Sequence, residues 1–347
     1  MEKLRRRSVL QQGLALGAAL AGPGALGLAR AADAPRVVLY NGQHKNTTEA
    51  LVKAFTKATG ITVEIRKGGS AQLANQIIEE GERSPADVFY SEESPPVFAL
   101  AERNLLAQLP KSTLDQVAAR YASRDGTWAG ITARTRVTVY NKKMVQKPEL
   151  PASVLEMATA AWKGRVGFVP TSGAFQEQII AIKLLKGREA ALNWLKGLKE
   201  YGRIYNGNMA AMRAVERGEI ATALINDYYW FVVAQEIGVD KMQSALHYSA
   251  HDDPGALMTV SAAGVMKTAR DPDAAQKLLA FMVSQLGQET IAATVAEYPL
   301  RPGVTSPFEK PPYNLRPLSQ IDPPNVSPAD MGDAADAITL RREAGLA

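Results

Sequence analysis

The sequence contains no cysteine, which excludes disulfides, thiolate metal sites, iron–sulfur clusters and thiol nucleophiles together. Any metal held by side chains must therefore be held through oxygen and nitrogen. Histidine is scarce as well, with three residues in 347. No Walker or dinucleotide-binding glycine fingerprint occurs, and Gly68-Gly69-Ser70 before a helical pattern is too short to serve as one. Beyond the first 31 residues there is no long apolar run, so nothing there reads as a membrane span. An excess of one charge is missing too, once the basic residues are located. The chain carries +5 overall, but its first 31 residues hold five basic residues against one acidic; the other 316 hold 35 basic against 34 acidic. Near-neutrality removes the electrostatic footprint of a nucleic-acid binder.

With 46% hydrophobic and 22% charged residues, the chain is long and apolar enough to bury a core of two-domain size. Residues 1–31 read as an export signal: a cationic start, a small-residue apolar run over 13–28 broken by Gly22, Pro23 and Gly24, and an Ala29-Arg30-Ala31 cleavage pattern. The stretch Arg6-Arg7-Ser8-Val9-Leu10 resembles a twin-arginine signal, with an ordinary secretory signal as the alternative. Either way the expected destination is the periplasm.

After the signal, an apolar run at 37–40, a polar turn at 41–44, a helical pattern carrying Leu51, Val52 and Phe55 and stopped by Gly60, and a strand at 61–65 make a β-α-β unit. A helix at 71–80, a buried strand at 88–90 and a helix after Pro95 or Pro96 continue it. A second series follows, with strands at 136–140, 166–169 and 222–225 and helices at 176–185, 190–198, 209–217 and from Tyr228. A strand at 258–266 returns the chain to the first series. This alternation predicts an α/β fold with parallel sheet and helices on both faces. Two lobes are expected, joined by hinge strands: 32–134 with 260–308, and 135–259 with 309–347. The proline-rich 299–328 reads as irregular surface chain and 329–346 as a closing helix.

Open α/β sheets bind ligands where strand ends lead into helix N-termini. Three such loops carry suitable side chains: Asn41 to His44, Ser91-Glu92-Glu93, and Asn226-Asp227-Tyr228-Tyr229. Each has a plainer reading, as an exposed polar residue, a helix-entry carboxylate favoured by the dipole, or aromatic core. Consecutive residues at a helix start point about 100° apart, so Tyr228 and Tyr229 cannot both face one core. His247, His251, Asp252 and Asp253 could suggest a divalent site, but read better as a solvated turn. Asn46 with Glu49 is the expected capping box of the helix after His44. Arg134 and Arg136 stand beside the expected hinge, either as charges behind a site or as surface ion pairs.

Six segments in this order look like the periplasmic ferric-ion-binding proteins of ABC iron importers, the bacterial transferrins: 40–45 (YNGQHK), 86–92 (ADVFYSE), 171–175 (TSGAF), 191–199 (ALNWLKGLK), 223–230 (ALINDYYW) and 253–257 (DPGAL). The resemblance spans essentially the whole chain after the signal. It implies a two-lobed type II periplasmic binding protein fold that closes on one Fe3+ in the interlobe cleft, and no catalytic role. Carried over by position, His44, Glu92, Tyr228 and Tyr229 become the iron ligands. Ser172, Gly173, Ala174, Asn208 and Asn226, with Glu93 beside them, become the contacts of an exogenous anion such as phosphate or carbonate, or of water. Glu93 departs from the pattern, because the phosphate-binding members carry Gln there. The implied partners are an ABC permease and its ATPase subunit, with the binding protein itself a monomer.

The donor chemistry agrees with the resemblance. Fe3+ is a hard ion that prefers anionic oxygen, and two phenolates with one carboxylate would neutralise its three charges. The other readings kept open are a binding protein for an organic or oxyanion solute of polyamine, thiamine or phosphonate type, and a cleft enzyme with Glu92 as its general base.

Overall fold

The computed structural model describes residues 35–250 and 252–346. The export signal and His251 lie outside the described residues. Elements alternate from the start: β1 (Arg36–Asn41), α1 (Lys45–Thr59), β2 (Thr62–Lys67), α2 (Ser70–Glu80), β3 (Val88–Ser91), α3 (Ser94–Glu102) and a short α4 (Lys111–Leu114) precede a long strand, β4 (Trp128–Asn141). Then come β5 (Val166–Phe168), α5 (Gly173–Lys186), α6 (Arg188–Tyr201), β6 (Arg203–Ile204), α7 (Asn208–Glu216), β7 (Thr222–Asn226), α8 (Tyr228–Ile237) and β8 (Ser244–His247). The chain ends with β9 (Met258–Val265), α9 (Pro272–Met282), α10 (Gln285–Ala292), β10 (Tyr298–Pro299) and α11 (Ala335–Glu343).

The strands run in the order β2-β1-β3-β9-β4-β7-β5-β6, with β10 and β8 also on β4. β1 pairs in parallel with β2 and β3, and β5 in parallel with β7 and β6. Between these two parallel groups stands β4, whose 14 residues are all buried. Its first half, through Thr135, pairs antiparallel with β9 and β10. From Arg136 onward its partners are β7 and β8. One strand therefore belongs to both half-sheets.

Both faces of each half-sheet are covered, as parallel strands require. On β1, Val38 and Tyr40 face a cluster with Leu73, Ile77, Phe89, Leu100 and Trp128, while Val37 and Leu39 face Leu51, Phe55 and Leu278. In the second lobe Phe168, Phe175, Trp194 and Leu195 join Leu340 of α11. Among the described residues, no helix is long and apolar enough to cross a membrane.

Several expectations need correction. The strand expected at 136–140 begins eight residues earlier, because Arg134 and Thr135 are buried among polar partners rather than marking an edge. Helices α9 and α10 were not anticipated. The closing helix is only Ala335–Glu343, preceded by short 3-10 turns at Leu318–Gln320 and Pro328–Asp330. The cap of α1 is His44 rather than Asn46, and no side chain caps it; Glu49 instead meets Lys67 at 2.7 Å.

Candidate metal centre

His44 is presented by a short, tightly bonded loop. Asn41 accepts from the Gln43 N–H and the Thr48 hydroxyl, at 3.2 and 2.9 Å, and the Gln43 side-chain oxygen accepts from the His44 N–H at 2.8 Å. At Gly42 a Cβ would collide with the Ser70 side chain. That close approach lets the Ser70 hydroxyl accept from the Glu92 N–H at 2.9 Å, so the loop before α1 and the start of α2 together place the loop after β3. Arg134 fixes the same loop from behind by donating to the Glu92 carbonyl.

The opposite wall is the start of α8. Asp227 accepts from the Tyr228 N–H at 3.0 Å and so sets the helix entry. Across the cleft the Tyr228 hydroxyl donates to Glu92 Oε1 at 2.9 Å. That oxygen lies 3.9 Å from His44 Nε2. The Tyr228 ring meets His44 edge-on with centroids 5.1 Å apart, and the Tyr229 ring lies 4.2 Å from that of Tyr228. The four side chains proposed as ligands thus converge. Tyr228 is buried and Tyr229 half-buried, while Trp230 turns into the core and donates to the Ser244 carbonyl.

The residues expected to contact an anion form a second arc. Asn208 donates to the Ser172 hydroxyl at 3.0 Å and to the Tyr229 hydroxyl at 3.3 Å. Asn226 accepts from Arg136 at 3.1 Å, leaving its buried amide nitrogen without a partner. Ala174 is buried, with no side-chain polar group to offer. Ser172 is the N-cap of α5 but makes no side-chain cap bond. Glu93 reaches this helix head, and a Cβ on Gly173 would run into its carboxyl group. Beside it opens a cavity of about 360 Å³ lined by Gly42, Ser70, Glu92, Glu93, Gly173 and Gln176.

The sequence profile of the bacterial extracellular solute-binding proteins matches residues 50–314. The chain is 46% identical over 314 residues to the major ferric iron-binding protein of Neisseria meningitidis, covering 89% of this chain and 93% of that one. To the Fe(3+)-binding periplasmic protein of Serratia marcescens it is 38% identical over 320 residues, 92% of this chain and 93% of the relative. The backbone matches the crystal structure of iron-bound HitA from Pseudomonas aeruginosa with a TM-score of 0.86 at 51% identity, over 90% of this chain and 100% of that one. The chain belongs to the periplasmic ferric-ion-binding proteins.

In this family member burial sets the electrostatics of the cleft. Burial, and then the nearby Glu92 carboxylate, pushes the Tyr229 phenol up to about 12 and the Tyr228 phenol well above its usual value. Both phenols therefore hold their protons at neutral pH. Burial, followed by Glu92, pushes Glu93 up to about 8. Among the described residues, no group of three or more His, Asp or Glu side chains is placed to hold a metal ion.

Arg134 and Arg136 are not surface ion pairs, as both are fully buried. Burial works against the charged form of Arg134, but Glu297, Glu92 and Tyr228 outweigh it and hold the guanidinium above its usual value. Arg136 is pulled down to about 10 by burial, against the pull of Tyr229 and Tyr228, and donates to Gln178 at 3.1 Å. Sequence reasoning missed two buried acids. Glu177, pushed up to about 7 by burial, accepts from the Ser94 hydroxyl at 3.2 Å across the cleft. Glu297 stands 3.7 Å from His44; its one signal was an acid isolated between Val295-Ala296 and Tyr298. Asp253 is a structural cap, accepting from the Val154 and Gly255 N–H groups at 3.1 and 2.7 Å.

Proposed function

We propose that this chain is the solute-binding component of a ferric-iron ABC importer, with His44, Glu92, Tyr228 and Tyr229 as the iron ligands. The observation that carries the assignment is the Tyr228 hydroxyl bonded to Glu92 across the cleft, with His44 and Tyr229 against the same ring. Hard oxygen donors suit Fe3+, and a trivalent ion is a strong competitor for two phenolic protons. Adding ferric citrate to the iron-free protein tests this. A phenolate-to-iron charge-transfer colour is expected, and a colourless protein overturns the reading.

We place the hinge in β4, with 32–134 and 260–308 as lobe 1 and 135–259 and 309–347 as lobe 2. The loaded protein acts as a monomer without catalysis and hands iron to a membrane permease driven by an ATPase subunit. Export of the precursor follows the twin-arginine route. Replacing Arg6 and Arg7 by Lys is then expected to leave precursor in the cytoplasm, whereas undiminished periplasmic protein would assign an ordinary secretory signal.

Iron binding here depends only weakly on phosphate. The Glu93 carboxyl already lies against Gly173 at the uncapped head of α5, where Ser172, Gly173, Ala174, Asn208 and Asn226 would meet an exogenous anion. The arriving metal favours the ionised carboxylate, which accepts hydrogen bonds but cannot donate them to phosphate. At about 5 Å and an effective dielectric near 20, its repulsion of one anionic charge is roughly 3 kcal/mol, about two powers of ten in affinity. Water, hydroxide or carbonate then completes the iron shell. The variant Glu93→Gln is expected to gain phosphate-dependent iron retention. Strong phosphate dependence of the unaltered protein, with no gain in the variant, would overturn this.

A further inference from the structure

We propose that Glu297 is a fifth protein group of the iron site: a positioning residue that steadies the His44 imidazole and remains as a buried counter-charge beside the metal. This rests on the ferric reading above. Glu297 is fully buried. One carboxylate oxygen, Oε2, is fixed by the Thr132 hydroxyl, which in turn lies 2.7 Å from the Ser261 hydroxyl. The other oxygen, Oε1, has no hydrogen-bond partner and sits 3.7 Å from His44 Nε2, itself buried and unpartnered. A carboxylate left half-satisfied in an interior is costly; the buried Arg134 guanidinium compensates its charge, but no hydrogen bond claims Oε1. Its orphaned oxygen faces the ring that the site must keep in place.

The neighbouring residue strengthens the case. Adjacent side chains of an extended segment point to opposite sides, so Tyr298 turns away from His44 and donates to Asp227 Oδ2 at 3.1 Å. Asp227 caps the helix that begins with Tyr228. Two consecutive residues thus brace both halves of the donor set, one through the imidazole and one through the entry to α8. The geometry sets Glu297 beside the ligands rather than among them. Its Oε2 is committed to Thr132, and among the described residues no group of His, Asp and Glu closes into a metal cage. In the empty site Nε2 faces the Glu297 carboxylate at 3.7 Å; with the metal on Nε2, the negative charge stays beside the ion.

The variant Glu297→Gln keeps the shape and removes the charge. Groups that contact a metal's ligands without binding the metal typically account for 10–100-fold in metal affinity. We expect a loss of about that size in citrate competition, with the phenolate-to-iron colour retained because both phenols remain. In the iron-free protein, long-range 1H–15N spectra should show His44 protonated on Nε2, with that preference lost in the variant. Thr132→Val, which leaves the charge but frees the carboxylate, should weaken binding less than Glu297→Gln and also blur the tautomer. It carries the test if Glu297→Gln does not fold. Unchanged affinity with an unchanged tautomer overturns the proposal, as does complete loss of colour in Glu297→Gln, which would make Glu297 a ligand. An unaltered protein that stays colourless overturns the ferric reading itself, whereas a coloured one with an indifferent variant overturns only the role of Glu297.

Discussion

Replacing Tyr228 or Tyr229 by Phe is expected to weaken ferric binding by about a hundred- to several-thousand-fold. Each substitution removes an anionic ligand and leaves part of the metal's charge uncompensated in a site shielded from water. Removing one partner from a buried ionic set costs about 3–5 kcal/mol, with each 1.4 kcal/mol a factor of ten. The fold should survive. The phenyl ring keeps the stacking of Tyr228 on Tyr229 and its edge contact with His44. The lost bond from Tyr228 to Glu92 is worth about 1 kcal/mol, so the iron-free melting temperature should fall by no more than about 4 °C in a chain of this size. The colour should weaken in each variant and vanish in the double variant. Titration with ferric citrate, read by absorbance and by thermal melting, separates the two effects. Wild-type affinity in both single variants would sink the ligand assignment.

The second large effect is on pH. Both phenols titrate far above neutrality in the iron-free chain, Tyr229 at about 12 and Tyr228 well above its usual value, chiefly through burial. Near pH 7 the empty site therefore holds both phenolic protons and the loaded site holds neither, so binding releases at least two, and a third where Glu93, pushed up to about 8, ionises as the metal arrives. By linkage, affinity rises with pH by about tenfold per proton released, or at least roughly a hundredfold per pH unit. The slope should persist up to the range where the phenols ionise unaided. Citrate competition across about pH 6 to 8, corrected for the protonation of citrate and the hydrolysis of iron, measures it. A flat profile would mean that the tyrosines bind as neutral phenols or not at all.

What could be read from the sequence was local. The loops at 41–44, 91–93 and 226–229 each follow a run of apolar residues and precede a helical pattern, so their places at strand ends were visible without coordinates. That His44, Glu92 and the two tyrosines meet was not visible in that way; it came from resemblance, because only the pairing of β4 with β9 on one side and β7 on the other brings the loops together. Helices α9 and α10 were legible and overlooked. Asp271 before Pro272, and Ser284 three residues before Gly287, are cap signals, and both side chains do cap their helices. The α1 cap was misread because Asn46 and Glu49 fit a capping box on paper, whereas the hydrogen bonds of the Asn41 loop start the helix earlier. Glu177 and Glu297 were illegible, and Arg134 stayed between two readings, for a general reason. A buried charge looks like a surface one until its partners, distant in sequence, are known.

The passage of β4 through both half-sheets has a consequence for unloading. Its ladder on either side of Thr135 need not break for the lobes to part, so opening severs mainly cross-cleft contacts such as Tyr228 to Glu92 and Glu177 to Ser94. With the proposed ligands and lobes, His44 and Glu92 then travel with one wall, Tyr228 and Tyr229 with the other. A four-toothed chelator becomes two weak two-toothed ones, and the effective concentration that made each half's grip reinforce the other's is lost. Cargo and clasp are in this sense the same object: the ion keeps the door shut, and a receptor need only hold the walls apart for the ion to become exchangeable.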